Sequence, residues 1–519
     1  MVPSGGNAGF KKDFSLNFTA ILVIAIAAIP LLYLTKRGSE IDRESLTNLL
    51  LRDRTIEIYT TTILLASIVL LFSFIVGSTF AWLIHNITLP FGSLPIILSV
   101  LPLAIPSYVL TYAWISIYPG FNGFWAAVLV LTLSTSPYVT LVAVASLRRI
   151  DFTQVEAGRS LGLSQVAVLR RVIWPQMRVS LSAGLLLVFL YVLSDFGAVS
   201  LLGVNTFTRN IYTMYRATFD RNGAAVISLA LILLAIFIIA LEFRLRGRRT
   251  VIKSNAGIVK THVKIKVGWL RWPLLTLIFT YALLALGVPF WVLTTRFIQN
   301  TESIDMASLI SATFSTVIAS FAGATLAMAF ALPLGILLAR RSGFIPKLAE
   351  SSILLTHALP GVVIGLALVA LSSKFPWIYQ TLPVLAFAYA LLFLAKAVGS
   401  IRASLQRIAP ILHDVSETLG ITGLAAFRRV TLPLAAPGVL IGFLLVLLTA
   451  MKELPATLML RPTGYETLAT EIWAATSISK FNEAAPYALV LIIIAAIPTF
   501  ILTRPDKSDS QAQSEGLIQ

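Results

Sequence analysis

Two polar segments of this 519-residue chain repeat each other without a gap. Glu156–Pro175 reads EAGRSLGLSQVAVLRRVIWP, and Asp414–Pro433 reads DVSETLGITGLAAFRRVTLP. Both contain Leu-Gly, Arg-Arg-Val and a closing proline at matching positions. Because each polar segment lies between long apolar runs, the repeat predicts a duplicated membrane protein with two equivalent polar loops. Two such loops indicate a pair of docking sites for a symmetric soluble partner, whereas one copy alone fits an ordinary connection equally well.

The composition excludes a soluble domain. Hydrophobic residues make up 57% of the chain and charged residues only 12%, too little polar surface to cover a soluble protein of this size. The formal net charge of +17 comes from basic residues in short loops between apolar runs. This pattern is typical of the cytoplasmic side of a membrane protein and argues against a nucleic-acid partner. The absence of cysteine excludes disulfides and thiolate metal centres.

The apolar runs predict the fold class. About twelve runs, the first near 17–35 and the last near 484–503, are long enough to cross a bilayer as helices. We interpret the first run as an uncleaved span, because no small-residue cleavage site follows it. Starting the N-terminus in the cytoplasm places both polar loops and the basic linker inside, as the positive-inside rule requires. The prediction is an all-α polytopic membrane protein with about 12 transmembrane helices in two six-helix repeats of the same orientation.

The repeat also predicts the domain organisation. The first half covers 1–250 with its polar loop at 150–178, and the second covers 269–505 with its loop at 401–436. A basic cytoplasmic linker at 251–268 joins them, and a polar tail at 506–519 is expected to be disordered and cytoplasmic. Shorter matches extend the repeat, because Leu101–Pro106 corresponds to Leu355–Pro360 and Ser194–Ala198 to Lys452–Ala456.

Each polar loop is predicted to be a short helix, a glycine break and a second helix that runs to a proline. Glu156 and Arg159 share one face of the first helix, as residues three apart do. Gly162 and Gly420 permit a sharp turn. The closing prolines fall near the start of the next span, where a missing backbone N–H has little cost.

These loops resemble the EAA motif of permease subunits of binding-protein-dependent ABC importers. The first copy has Glu156-Ala157, Gly162 and the closing proline of that motif, whereas the second keeps Gly420 but has Asp-Val-Ser in place of Glu-Ala-Ala. This departure weakens one charged contact, so the two docking sites are expected to be unequal. The arrangement is similar to that of fused double permeases, and the segment KELPATL at 452–458 is similar to ferric-iron permeases.

The resemblance implies partners and a location. Two copies of a cytoplasmic ATP-binding subunit would dock on the loops, and a periplasmic binding protein would deliver cargo to a chain in the bacterial inner membrane with both termini cytoplasmic. Because the chain lacks a GxxxxGK[ST] loop, ATP belongs to the partner subunits, and the chain itself has no expected cofactor and is not an enzyme. The predicted ATPase-docking residues are Glu156, Ala157, Arg159, Gly162, Arg170, Arg171, Asp414, Glu417, Gly420, Arg428 and Arg429.

Ionisable residues near or within spans are the candidates for the translocation path or its gate. Asp195 and Glu453 hold equivalent places in the two halves, and Lys452 and His357 join them as candidates. Other readings stay open: Glu453 pairs with Lys452 or Arg461, Asp195 is solvated at the interface, and His357 is an interhelical hydrogen-bonding group. No metal ligands are assigned.

The resemblance to ferric-iron permeases implies ferric iron as the cargo, and two matching acids would suit such a hard trivalent cation, which prefers oxygen ligands. The same architecture importing thiamine, a phosphonate or an inorganic anion is the alternative, and an anion carrier is expected to place Arg or Lys along the path. A secondary transporter would need intramembrane charges but no repeated docking loops. A membrane-embedded enzyme is disfavoured by the absence of a catalytic constellation.

Overall fold

A computed structural model describes residues 6–150, 152–246, 264–299, 305–341, 343–408, 411–419, 421 and 423–503. The tail predicted at 506–519, and the predicted linker up to residue 263, lie outside the described residues. Apart from one isolated β-bridge between Ile87 and Ile265, the described residues form helices and their connections.

The α-helices, numbered in chain order, fall into two sets. In the first half of the chain they are α1 (Gly6–Ser39), α2 (Arg43–Leu51), α3 (Asp53–Asn86), α4 (Leu94–Val100), α5 (Ser107–Ile117), α6 (Gly123–Leu147), α7 (Phe152–Ser160), α8 (Gln165–Val168), α9 (Trp174–Ser194), α10 (Gly197–Leu201), α11 (Phe207–Arg216) and α12 (Arg221–Arg246). In the second half they are α13 (Arg271–Ala282), α14 (Val288–Gln299), α15 (Met306–Arg340), α16 (Phe344–Ala358), α17 (Gly361–Ser372), α18 (Leu382–Arg407), α19 (Ile411–Thr418), α20 (Gly423–Ala426), α21 (Leu432–Met451), α22 (Pro455–Leu460), α23 (Leu468–Ser477) and α24 (Phe481–Thr503).

The membrane-spanning helices confirm the predicted fold class. Ten helical stretches within the described residues are long and apolar enough to cross a bilayer, and two bent helix pairs raise the number to twelve if each pair is one span. Each of the twelve predicted apolar runs corresponds to one of these stretches or pairs. The bent pairs are the third and ninth in order, where the sequence has its matching proline-containing segments.

Proline chemistry explains both bends. The residues before Pro106 and Pro360 adopt extended conformations, with φ/ψ of −88/122° at Ile105 and −82/117° at Leu359. A proline ring disfavours the helical region for the residue that precedes it and removes one backbone donor, so the first helix ends there. The chain resumes as α5 or α17 after a turn of 92° or 99°.

The contacts group the described residues into two compact units. One unit takes the described residues within 1–33, 304–471 and 486–519, and the other takes those within 34–303 and 472–485. The first span therefore groups with the second half of the sequence, while α13 and α14 group with the first half. The domain boundaries predicted from the repeat are sequence boundaries and remain a prediction.

One hydrogen bond is repeated inside each unit. The backbone N–H of Phe207 donates to Thr62 Oγ1 at 3.3 Å, and that of Leu468 donates to Thr316 Oγ1 at 2.8 Å. Thr62 and Thr316 are as far apart in the sequence as Pro106 and Pro360. Each bond caps the first turn of a short helix, α11 or α23, with a buried threonine from a span. The duplication therefore extends from the polar loops to matched tertiary contacts.

Candidate functional site

The first polar loop has the predicted form of two helices with a glycine break. Helix α7 buries Val155 and Gly158 on one face and exposes Glu156 and Arg159 on the other. The turn that follows α7 contains Gly162, whose φ of +81° lies in the left-handed region that favours glycine. The N–H of Leu163 donates to Gly158 O at 3.1 Å, the bond between residues five apart that closes a glycine-terminated helix.

The second polar loop closes in the same way. The N–H of Ile421 donates to Ser416 O at 2.9 Å, the counterpart of the bond in the first loop. Gly420 lies outside the described residues, and so do the side chains of Asp414 and Glu417, although both belong to helix α19. The side chains of Ala157, Arg170, Arg171, Arg428 and Arg429 are all exposed, as a docking surface requires.

Sequence reasoning did not single out the most exposed large apolar side chain that the structure describes in each loop. Leu161 is 84% exposed, and Leu419, at the matching position of the second loop, is 71% exposed. An exposed leucine is common by itself, but two at equivalent tips form a repeated apolar contact. The shared Leu-Gly pair was the available signal, since the glycine turn leaves the preceding leucine outside the helix packing.

Each loop enters its span through a widened turn. A five-residue π-helical segment, Leu169–Ile173 or Phe427–Thr431, precedes Pro175 or Pro433. A proline cannot donate to the carbonyl four residues earlier, and the ladder widens where that bond is lost. The helix continues through this turn into α9 or α21, so each loop is joined to its span without a break.

Asp195 is buried at the end of α9, so the reading that it is solvated at the interface is wrong. It is 8% exposed, and its Oδ1 accepts from the N–H groups of Ala198 at 3.1 Å and Val199 at 3.3 Å. Its Oδ2 accepts from Ser107 Oγ at 2.5 Å. Ser107 is the first residue after the bend at Pro106, so this carboxylate ties the broken third span to the first turn of α10.

Glu453 makes the matching cap in the second half. Its Oε1 accepts from the N–H of Ala456 at 3.0 Å, and its Oε2 accepts from the N–H of Thr457 at 3.0 Å and from Thr457 Oγ1 at 2.8 Å. A Cβ built on Gly361, the first residue after the bend at Pro360, would lie 2.3 Å from Oε1. The carboxylate therefore packs directly against the break.

The two caps differ in the length of the acid and in the size of the residue that follows the proline. Asp195 faces a serine across the break, whereas Glu453, which is one methylene longer, faces a glycine. The longer acid fills the space that the serine side chain occupies in the first half. The acid that caps the helix therefore also closes the broken span in both halves, a role that the sequence positions alone did not reveal.

The remaining path candidates gather in the second half. Lys452 ends α21 next to Glu453, and His357 lies in α16 three residues before Pro360. Lys396 on α18 donates to Thr449 Oγ1 at 3.2 Å. Arg461 forms an ion pair with Glu466, and Glu453 is held by N–H and hydroxyl donors.

No protein-built metal centre is present among the described residues, since no three His, Cys, Asp or Glu side chains are grouped to hold an ion. Carboxylates that are already bonded to backbone donors have few lone pairs left for a cation. Both acids already accept hydrogen bonds beside the breaks, and their part in the translocation path stays a prediction.

Comparison with known proteins agrees with the duplicated architecture. The family of binding-protein-dependent transport system inner membrane components matches the chain twice, at residues 70–250 and 331–504. The Fe(3+)-transport system permease protein FbpB 2 of Haemophilus influenzae is 32% identical over 504 residues, which cover 95% of this chain and 99% of that protein.

Relatives that are named for other cargoes match shorter stretches of this chain. The putative 2-aminoethylphosphonate permease PhnV of Salmonella typhimurium is 30% identical over 151 residues, 29% of this chain and 57% of that protein. A probable molybdenum ABC transporter permease of Haloferax volcanii is 29% identical over 194 residues, 36% of this chain and 72% of that protein. The family is one of transport permeases and not of enzymes. This chain therefore belongs to the binding-protein-dependent transport system inner membrane components, as a fused double permease that carries the family's domain twice.

Proposed function

We propose that this permease forms the path by which ferric iron crosses the inner membrane. The observation that carries the proposal is the identity to a ferric-iron permease along nearly the whole length of both chains. The relatives named for phosphonate and molybdenum match much shorter stretches of this chain, so they support the architecture more than the cargo. A periplasmic binding protein delivers the iron, and both termini of the permease lie in the cytoplasm.

Two copies of an ATP-binding subunit dock on the two polar loops. The outward faces of α7 and the tips at Leu161 and Leu419 form the contact surface, and burial of one leucine stabilises such a contact by about 1.5–3 kcal/mol. Since each loop continues as a helix into α9 or α21, closure of the ATPase pair moves both spans together. ATP is bound and hydrolysed by those subunits.

The path passes the two broken spans. Asp195 and Glu453 fix the resumed helices α5 and α17 at the bends, and Lys452 and His357 lie beside the second bend. A break in a span frees backbone groups at depth, which is tolerated where the chain lines a cavity or is bonded to neighbouring side chains. The acids thus set the shape of the gate through which the cargo passes.

Uptake of radiolabelled ferric iron in a permease-deletion strain tests this proposal. The unaltered chain should restore ATP-dependent uptake, and a Gly162→Ala/Gly420→Ala double variant should insert in the membrane without restoring it. Labelled molybdate and 2-aminoethylphosphonate, run in parallel, separate the rival cargoes. Failure to take up iron by an inserted, ATPase-bound permease would overturn the proposed cargo.

A further inference from the structure

A cavity of about 340 Å³ opens within the unit that contains most of the first half, and the proposed path does not use it. Its wall comes from α5, α10, α11 and the segment from Trp473 to Phe481. The lining residues are Tyr112, Ile115, Phe196, Ser200, Leu201, Arg209, Tyr212, Thr213, Trp473, Thr476, Ser477, Ser479 and Phe481.

Aromatic contacts hold the wall in shape. The ring of Phe196 lies 4.7 Å from that of Tyr212 and 5.1 Å from that of Trp473, measured between centroids. The Tyr112 hydroxyl donates to Phe481 O at 2.5 Å, and the two rings stack 5.7 Å apart. Ser479 adopts a φ of +61°, a left-handed conformation that is strained for serine and that often marks a functional position. The cavity is therefore an ordered feature of the fold.

Most lining hydroxyls donate to backbone carbonyls, whereas Arg209 keeps donors that bond no described residue. The guanidinium of Arg209 donates through Nη1 to Gly203 O at 2.7 Å and to Asn205 Oδ1 at 2.9 Å, which leaves Nε and Nη2. Ser200 Oγ is buried without a partner among the described residues. The lining residues that the structure describes include no Asp or Glu.

No acidic residue among the described lining residues balances the positive charge of Arg209. Partial burial, followed by the nearby positive charge of Arg54, lowers the pKa of Arg209. Both effects disfavour the charged guanidinium, and an anion beside it would relieve them. A bare metal cation would instead be repelled by the two arginines.

We propose that this cavity binds a small oxyanion of the phosphate or phosphonate class. The guanidinium donors of Arg209 hold the oxygens, since charge-assisted bonds from arginine to such groups are among the strongest in proteins. The aromatic rings of Tyr212 and Trp473 surround any organic substituent. The site belongs to the folded unit and does not depend on ferric iron being the cargo.

Equilibrium dialysis of the purified full-length permease with radiolabelled inorganic phosphate tests the site. Arg209→Gln should weaken phosphate binding at least tenfold, a change of about 1.4 kcal/mol. Arg216→Gln is the matched control, since Arg216 is an exposed arginine on the same helix outside the cavity. Displacement of phosphate by 2-aminoethylphosphonate or by molybdate would support the site and show whether it prefers organic or inorganic oxyanions.

Two results would overturn the proposal. One is the absence of phosphate binding to the unaltered permease at millimolar concentration, and the other is equal binding by the Arg209→Gln and Arg216→Gln variants. Because Arg209 also anchors Gly203 and Asn205, co-purification with the ATPase should be compared for every variant.

Discussion

Replacement of each capping acid by its amide should have unequal effects on stability. In Asp195→Asn, the amide oxygen can keep both backbone N–H bonds now made to Oδ1, and the amide nitrogen can donate to Ser107 Oγ, which also accepts. In Glu453→Gln, an NH2 group replaces one of the two carboxylate oxygens. Each of these oxygens accepts from a backbone N–H, that of Ala456 or that of Thr457, and a backbone N–H cannot accept a hydrogen bond from the new amide nitrogen. One buried donor therefore loses its partner only in the second half.

The expected difference follows from these bonds. A buried donor left without a partner costs about 1–3 kcal/mol, whereas an exchange that keeps every partner costs about 1 kcal/mol or less. Glu453→Gln should thus unfold at a lower temperature than Asp195→Asn. Thermal unfolding of the purified permease, followed by intrinsic fluorescence, measures both. Equal destabilisation, or a larger effect of Asp195→Asn, would refute the assignment of the two caps.

Giving the second break the serine and aspartate found at the first break checks the same reasoning. Gly361→Ser alone should be destabilising, since its Cβ would meet Glu453 Oε1, and Glu453→Asp alone should withdraw the carboxylate from the break. The double variant reproduces the serine and aspartate of the first half, so it should be more stable than the sum of the single effects predicts. Additive effects in this double-mutant cycle would contradict the proposed equivalence.

The polar loops support two further predictions. Gly162→Ala should lower the free energy of unfolding by about 1–2 kcal/mol because of the positive φ at this position, and it should reduce ATPase co-purification. Gly158→Ala is the matched control, since its Cβ would find its nearest neighbour at an ordinary 3.5 Å. Equal behaviour of the two variants would contradict the assigned role of the turn at Gly162. Leu161→Ser and Leu419→Ser should each weaken ATPase binding about tenfold or more in a pull-down titration. Leu51→Ser, which changes a similarly exposed leucine at the end of α2, should not weaken ATPase binding, and a loss as large as that of Leu161→Ser would refute the docking surface.

The sequence was sufficient for features that depend on local patterns. Apolar runs of sufficient length predict spans, and the matched prolines at 106 and 360 predict breaks because the ring acts on its own neighbours. The glycine turn of the first loop follows equally from local chemistry, since a φ of +81° favours glycine.

Features that depend on contacts between distant residues could not be predicted in this way. The bond between Ser107 and Asp195 joins residues 88 apart in the sequence, and no single-residue pattern identifies it. The grouping of the first span with the second half, and the meeting of Phe196 with Trp473, likewise arise only when the helices pack. The interpretation of the acids as path residues stays a prediction, and their capping bonds could not be read from the sequence.

Transport by the purified assembly tests the central claim most directly. The permease, reconstituted in liposomes with its ATPase and supplied with its binding protein, would be given labelled ferric iron, molybdate or 2-aminoethylphosphonate. We predict ATP-dependent accumulation of iron that is lost when Leu161 and Leu419 are both replaced by serine. Accumulation of one of the other cargoes without iron would contradict the account.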